Sequence, residues 1–223
     1  MLSIEPIRNG GEFPPWVDRV RPVLGLVLVG FPLYLLGVLY YFGSPQTTDV
    51  GYQPRQPIAF SHALHAGELG LDCRYCHWTV DRAAHAAVPP VSVCMNCHAE
   101  IGKDSAKLLP LRQSWAKGEP IRWVRVHDLP DYAYFDHSAH VARGVGCASC
   151  HGPVHKMEEV RQVASLSMGW CLECHRAPEA HLRPLEAVTD MDWVAPEDPV
   201  QFGRRLREQY TINPSTDCST CHR

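Results

Sequence analysis

The sequence has no cysteine to spare, almost no net charge and no C-x-x-C pair followed by anything but histidine. Its formal charge of -3 over 223 residues excludes a nucleic-acid partner recruited by bulk electrostatics. All ten cysteines fall into five pairs, so a lone reactive thiol is excluded as well. What is present is one repeated pattern and one long run without charge.

The pattern is Cys73-Cys76-His77, Cys94-Cys97-His98, Cys147-Cys150-His151, Cys171-Cys174-His175 and Cys218-Cys221-His222. Zinc knuckles, redox dithiols and covalent c-type haem attachment compete for a C-x-x-C pair, and a histidine directly after it selects the last. With 13 histidines in 223 residues, chance places one after all five pairs roughly once in a million. Two thiols two residues apart can add across the two vinyl groups on one porphyrin edge, while the next residue, His, reaches the iron as proximal ligand. The expected cofactors are therefore five covalently bound haems c.

Residues 23–42, VLGLVLVGFPLYLLGVLYYF, carry no charge and as a helix span about 30 Å, one bilayer crossing. Pro32 is tolerated in such a helix, and Trp16 with Tyr40 and Tyr41 resembles an aromatic belt. Arg8, Arg19 and Arg21 precede the run and only Arg55 follows closely, so residues 1–22 are expected in the cytoplasm and residues 43–223 outside. Haem attachment on the outer face of a bacterial cytoplasmic membrane agrees with that orientation, since ten cysteines there need such a fate to escape random disulfides. The run is too long for the apolar part of a signal peptide, and GSPQTT offers no A-x-A cleavage site, so an uncleaved anchor is expected.

FSHALHAGELGLDCRYCH, residues 60–77, aligns with FDHSAHVARGVGCASCH, residues 135–151, and the next attachment cysteines follow 21 and 24 residues on. The expected organisation is two two-haem repeats, 60–98 and 135–175, and a fifth site at 218–222. His62 with His65, and His137 with His140, stand at i, i+3, which puts both imidazoles on one side of a helical turn. These four are the expected distal ligands. Residues 101–120 read as a short helix and loop, and residues 182–217, rich in Pro, Asp and Glu, as a long connection to the last haem. With about 180 residues around five macrocycles, little polypeptide remains for a separate core. The expected fold is mainly α with extensive ordered loops, one N-terminal transmembrane helix and a multihaem domain whose core is the haems.

Eight histidines remain after the proximal set: the four above and His85, His127, His155 and His181. Supply exceeds the need for five distal ligands, which favours irons closed on both faces, hence an electron carrier over an oxyanion reductase. The fifth distal ligand is open between Met168, opposite Val91 in the repeat alignment, and His127. A thioether would raise that haem's potential, whereas Met168 could equally pack beside a porphyrin. His155 and Met157 rank lower, and His85 and His181 read as pocket or surface residues.

With these motifs in view, including VHDLPDYAYFDHSAH, CASCHGPVHKM and SMGWCLECHR, the chain resembles the membrane-anchored pentahaem cytochrome c subunit of alternative complex III, the bacterial quinol:electron-acceptor oxidoreductase. That resemblance implies a non-catalytic electron-transfer subunit working with an iron–sulfur subunit, polytopic quinone-binding subunits and a monohaem cytochrome c, with quinol oxidised elsewhere in the complex. A second expectation is an anchored quinol dehydrogenase resembling the small tetrahaem partners of periplasmic reductases. About thirty residues between Phe42 and Cys73 count against it, because those chains place the first haem close after the helix.

Overall fold

The computed structural model describes residues 15–43 and 48–222. Most of the segment expected in the cytoplasm therefore lies outside the described residues. The chain divides into two units, one up to residue 47 and one from Thr48 onward, and each is considered by itself.

The first unit holds α1, Pro15–Gly43, with Pro22 and Pro32 inside it. It contains the expected run 23–42, and its stretch Arg19–Gly43 is long and apolar enough to cross a membrane. Leu and Val dominate its surface on every side, so no polar stripe marks it as a face of a soluble core.

The second unit is helical turns joined by ordered loops. Among the described residues the only β pairing is an isolated antiparallel bridge between Val145 and Leu182. The helices are α2, Cys73–Cys76; α3, Val91–His98; α4, Leu109–Lys117; α5, His137–Val141; α6, Ala148–His151; α7, Met168–Arg176; α8, Pro199–Gln209; and α9, Cys218–Cys221. Short helices coincide with the attachment sites. One turn brings the first Cys, the second Cys and the following His to one side, as i, i+3 and i+4 positions share a face. Residues 101–120 form α4 and a preceding short turn, as expected.

Residues 182–217 correct the expectation of a plain connection. Leu182, Leu206 and Ile212 are buried together, with Val145, Phe202 and Tyr210 packed against them. Asp198 caps α8 by accepting from the Gln201 N–H at 2.9 Å, and Pro199 fills the first helical position. Pro and Asp here begin a helix and do not mark a loop. Phe202 and Leu206, four apart, pack with Leu182, which directly follows the 3₁₀ turn Glu179–His181. Arg207 bonds the Glu179 carboxylate at 2.6 Å, and Gly203 lies so close to the Glu179 carbonyl that a Cβ would collide with it. Burying Leu206 alone contributes about 2 kcal/mol.

Candidate functional site

The attachment helices are set by local chemistry. The Asp72 carboxylate accepts from the Arg74 N–H at 2.7 Å at the start of α2, and the Ser167 hydroxyl accepts from Trp170 N–H at 3.3 Å at the start of α7. These caps satisfy amides a short helix otherwise leaves orphaned. α3 and α7 begin at Val91 and Met168, the residues the repeat alignment sets opposite each other.

All ten cysteines are free thiols, and their neighbours order the five motifs in space. The Cys76 thiol is raised by burial and then by Cys94, which sets the first motif beside the second. The Cys73 and Cys147 thiols act on each other, lowering Cys73 and, with burial, raising Cys147. That joins the first motif to the third. Burial, followed by Cys174 and Cys171, pushes Cys150 up to about 11, joining the third to the fourth. Burial and then Cys221 raise Cys171, joining the fourth to the fifth. Thiols of the second and first, first and third, third and fourth, and fourth and fifth motifs are thus near enough to act on one another. Once alkylated by vinyl groups these sulfurs no longer titrate, but their neighbours stay the same.

The histidines repeat with equal precision. Phe60 meets His62 edge-on with centroids 4.9 Å apart and stacks on His65 at 4.3 Å. Phe135 meets His137 at 4.8 Å and stacks on His140 at 4.6 Å. His65 Nδ1 donates to the Ser61 carbonyl at 2.8 Å and His140 Nδ1 to the Asp136 carbonyl at 2.7 Å. The turn that carries His65, Ala63–Glu68, is π-helical whereas α5 is α-helical, yet both deliver the same ring geometry.

Each repeat pairs its second histidine with a distant motif: His65 faces His98 at 6.2 Å and His140 faces His175 at 6.1 Å between centroids. His137 and His151 lie nearly parallel, 11° and 6.3 Å apart. A first-row metal binds imidazole nitrogen at about 2 Å and the ring centroid lies roughly 1 Å further, so imidazoles on opposite faces of one iron have centroids about 6 Å apart. The three pairs fit a haem iron between them. Among the described residues no three His, Cys, Asp or Glu side chains converge on one point; pairs are what a porphyrin, with four nitrogens of its own, asks of a protein.

Tautomers follow from acceptors. His77 Nδ1 lies 2.6 Å from the Ala87 carbonyl, His98 Nδ1 2.9 Å from Ile101, His175 Nδ1 2.6 Å from Ser215 and His222 Nδ1 3.1 Å from Tyr132. His137 Nδ1 lies 2.7 Å from the Ala84 carbonyl of the other repeat. A carbonyl only accepts, so each Nδ1 carries the proton and each Nε2 keeps a lone pair for a metal. Burial, with His77 and then His65 adding to it, lowers His62 to about 4. Burial, followed by His127, His137, His77 and His62, lowers His151 to about 3. Both rings therefore stay neutral, the form that ligates.

Neither candidate for the fifth position forms a pair of this separation. His127 packs edge-on against His151 at 4.4 Å, too close for an iron between them, with its Nε2 buried and unpartnered. Met168 opens α7 and is 66% exposed. The lower-ranked His155 is buried against Asp192, Nε2 to Oδ2 3.0 Å. The carbonyl acceptors Ala87, Ala84 and Ser215 were not legible beforehand, because a backbone oxygen has no sequence signature.

Known families match the same regions. Residues 43–120 match the class III cytochrome C family, and residues 133–223 match cytochrome c7 and related cytochrome c. The chain is a multihaem cytochrome of the c type. As such it carries covalent haem c and transfers electrons. The menaquinone reductase, multiheme cytochrome c subunit of Nitratidesulfovibrio vulgaris is 31% identical over 100 residues, 44% of this chain and 47% of that protein. The cytochrome thus spans about half the length of the curated relative it matches.

Proposed function

We propose that this cytochrome is a pentahaem conductor within a membrane quinol-oxidising complex of the alternative complex III type, passing electrons to a cytochrome c or a terminal acceptor. The histidine pairs set about 6 Å apart between centroids carry the reading, because each has room for one iron closed on both faces. Haem iron supplies the one-electron chemistry when bound. The polypeptide holds each iron closed: His62 with His77, His65 with His98, His137 with His151 and His140 with His175. The fifth iron, on His222, takes Met168, with His127 its rival. α1 serves as an uncleaved anchor and the haem domain lies on the periplasmic side. An iron–sulfur subunit, polytopic quinone-binding subunits and a monohaem cytochrome c are the partners this reading requires.

The test is mass spectrometry with a redox titration of the purified holoprotein. Five attached haems and low-spin irons are expected; fewer haems, or one that binds cyanide rapidly, would overturn the reading. The relative's menaquinone reductase designation supports a second reading, in which the chain exchanges electrons with quinol directly. Quinol oxidation by the isolated subunit in liposomes would establish that reading over the first.

A further inference from the structure

Arg183 is the buried permanent cation among the described residues, 8% exposed. None of their ion pairs includes it. Its Nη1 donates to the Asp190 carbonyl at 2.6 Å, its guanidinium lies 5.2 Å from the Trp193 ring centre, and its Nε is buried without a partner. Removing such a charge from water costs several kcal/mol unless something nearby compensates it.

The surroundings say what that is. The guanidinium crosses directly over Gly146, where any side chain would overlap it, and Gly146 precedes Cys147. The Arg183 N–H bonds the Gly144 carbonyl at 2.8 Å and the Cys147 N–H bonds the Val188 carbonyl at 3.1 Å, so residues 183–190 clamp the cation against the third attachment site. The same segment reaches the first attachment site, where the Thr189 hydroxyl donates to the Asp72 carboxylate at 2.7 Å.

We infer that Arg183 is a potential-setting residue: its buried charge stabilises the reduced state of the haem attached at Cys147 and Cys150, making the junction between the two repeats a low point for electrons. The inference rests on the conductor reading above. Reducing a haem adds one negative charge, and a fixed cation nearby favours that state. At an effective dielectric of about 20, a unit charge within about 10 Å of an iron would shift its equilibrium on the order of tenfold.

The experiment compares holoprotein with Arg183→Gln, Arg183→Met and Arg183→Lys, measuring haem count by mass and all midpoint potentials by titration. Both neutral variants should lower one haem's reduction equilibrium about tenfold, equal to 59 mV for one electron, with a smaller fall at the first haem. Arg183→Lys should stay near wild type. Fully haem-loaded neutral variants with unmoved potentials would overturn the inference, as would a lysine variant that falls as far as glutamine. Loss of a haem in the neutral variants that lysine does not restore makes the role structural and overturns it too. Wild-type protein lacking five covalent haems would instead refute the conductor reading itself.

Discussion

The two repeats, 60–98 and 135–175, present the same phenylalanine–histidine geometry on turns of different kinds and in different surroundings. In the first, a π-helical turn is steadied by the Ser61 hydroxyl, which accepts from the Leu64 N–H at 2.9 Å. In the second, Asp136 caps an α-turn through the Ser138 N–H at 2.8 Å. Around the second, the chain folds back: Val188 is fully buried, and Leu182, Leu206 and Ile212 close a small core. The buried apolar residues at 182–212 all belong to that later half. Ligand placement is thus a local property that either turn can deliver, whereas the medium around each motif is supplied from elsewhere in the chain. Two copies of one motif can therefore hold haems of unlike potential.

The largest effect that would break this comparison comes from position in the thiol order. Replacing Cys147 and Cys150 by Ala should remove one haem by mass and abolish electron transfer between the second and fifth sites in stopped-flow reduction. The same change at Cys94 and Cys97, at one end of the order, should leave the remaining four sites connected. Equal outcomes would show that the order does not govern conduction. Leu206→Ala should cost about 3 kcal/mol by transfer and cavity terms. Unfolding followed at the haem bands should report the second repeat first, because the lost core packs on that side.

Met168→His should keep haem content but lower one midpoint potential by on the order of 100 mV. An unchanged titration would return Met168 to packing. No such change is expected from Val91→His, its counterpart at the start of α3. On the pH axis, His62 is held down to about 4, below the unfolded value of about 6.5. A depressed histidine adds stability above the unfolded value and loses it as pH falls toward the folded one. Low-spin absorbance should hold at neutral pH and give way to high-spin absorbance as pH drops through about 4. A transition near 6 would mean that the first-repeat ligand is exposed. The smallest effect is at a cap: Ser167→Ala should cost about 1 kcal/mol in thermal unfolding. α3, entered through Pro90 without a side-chain cap, has no such bond to lose.

The candidate ligands could be named before the fold. The spacing of thiols and proximal histidines is covalent chemistry confined to one helical turn, and the register of His62, His65, His137 and His140 survives because the repeat is local. The reading of residues 182–217 as a connection failed for a physical reason: Pro199 and Asp198 are as suited to opening α8 as to a loop, and only the partners of Leu206 distinguish the two. His127 was weighed for the fifth position, and its contact with His151 spans a separation that no periodicity encodes.

The sequence by itself determined which atoms can bond to porphyrin and that one apolar helix of membrane-spanning length precedes them, since both depend on residues close in the chain. The tertiary structure alone decided the order in which the thiols meet, which carbonyl orients each imidazole and where Arg183 is buried. Those outcomes depend on contacts such as Arg183 with Gly146 and His175 with Ser215, made between residues that only folding brings within reach.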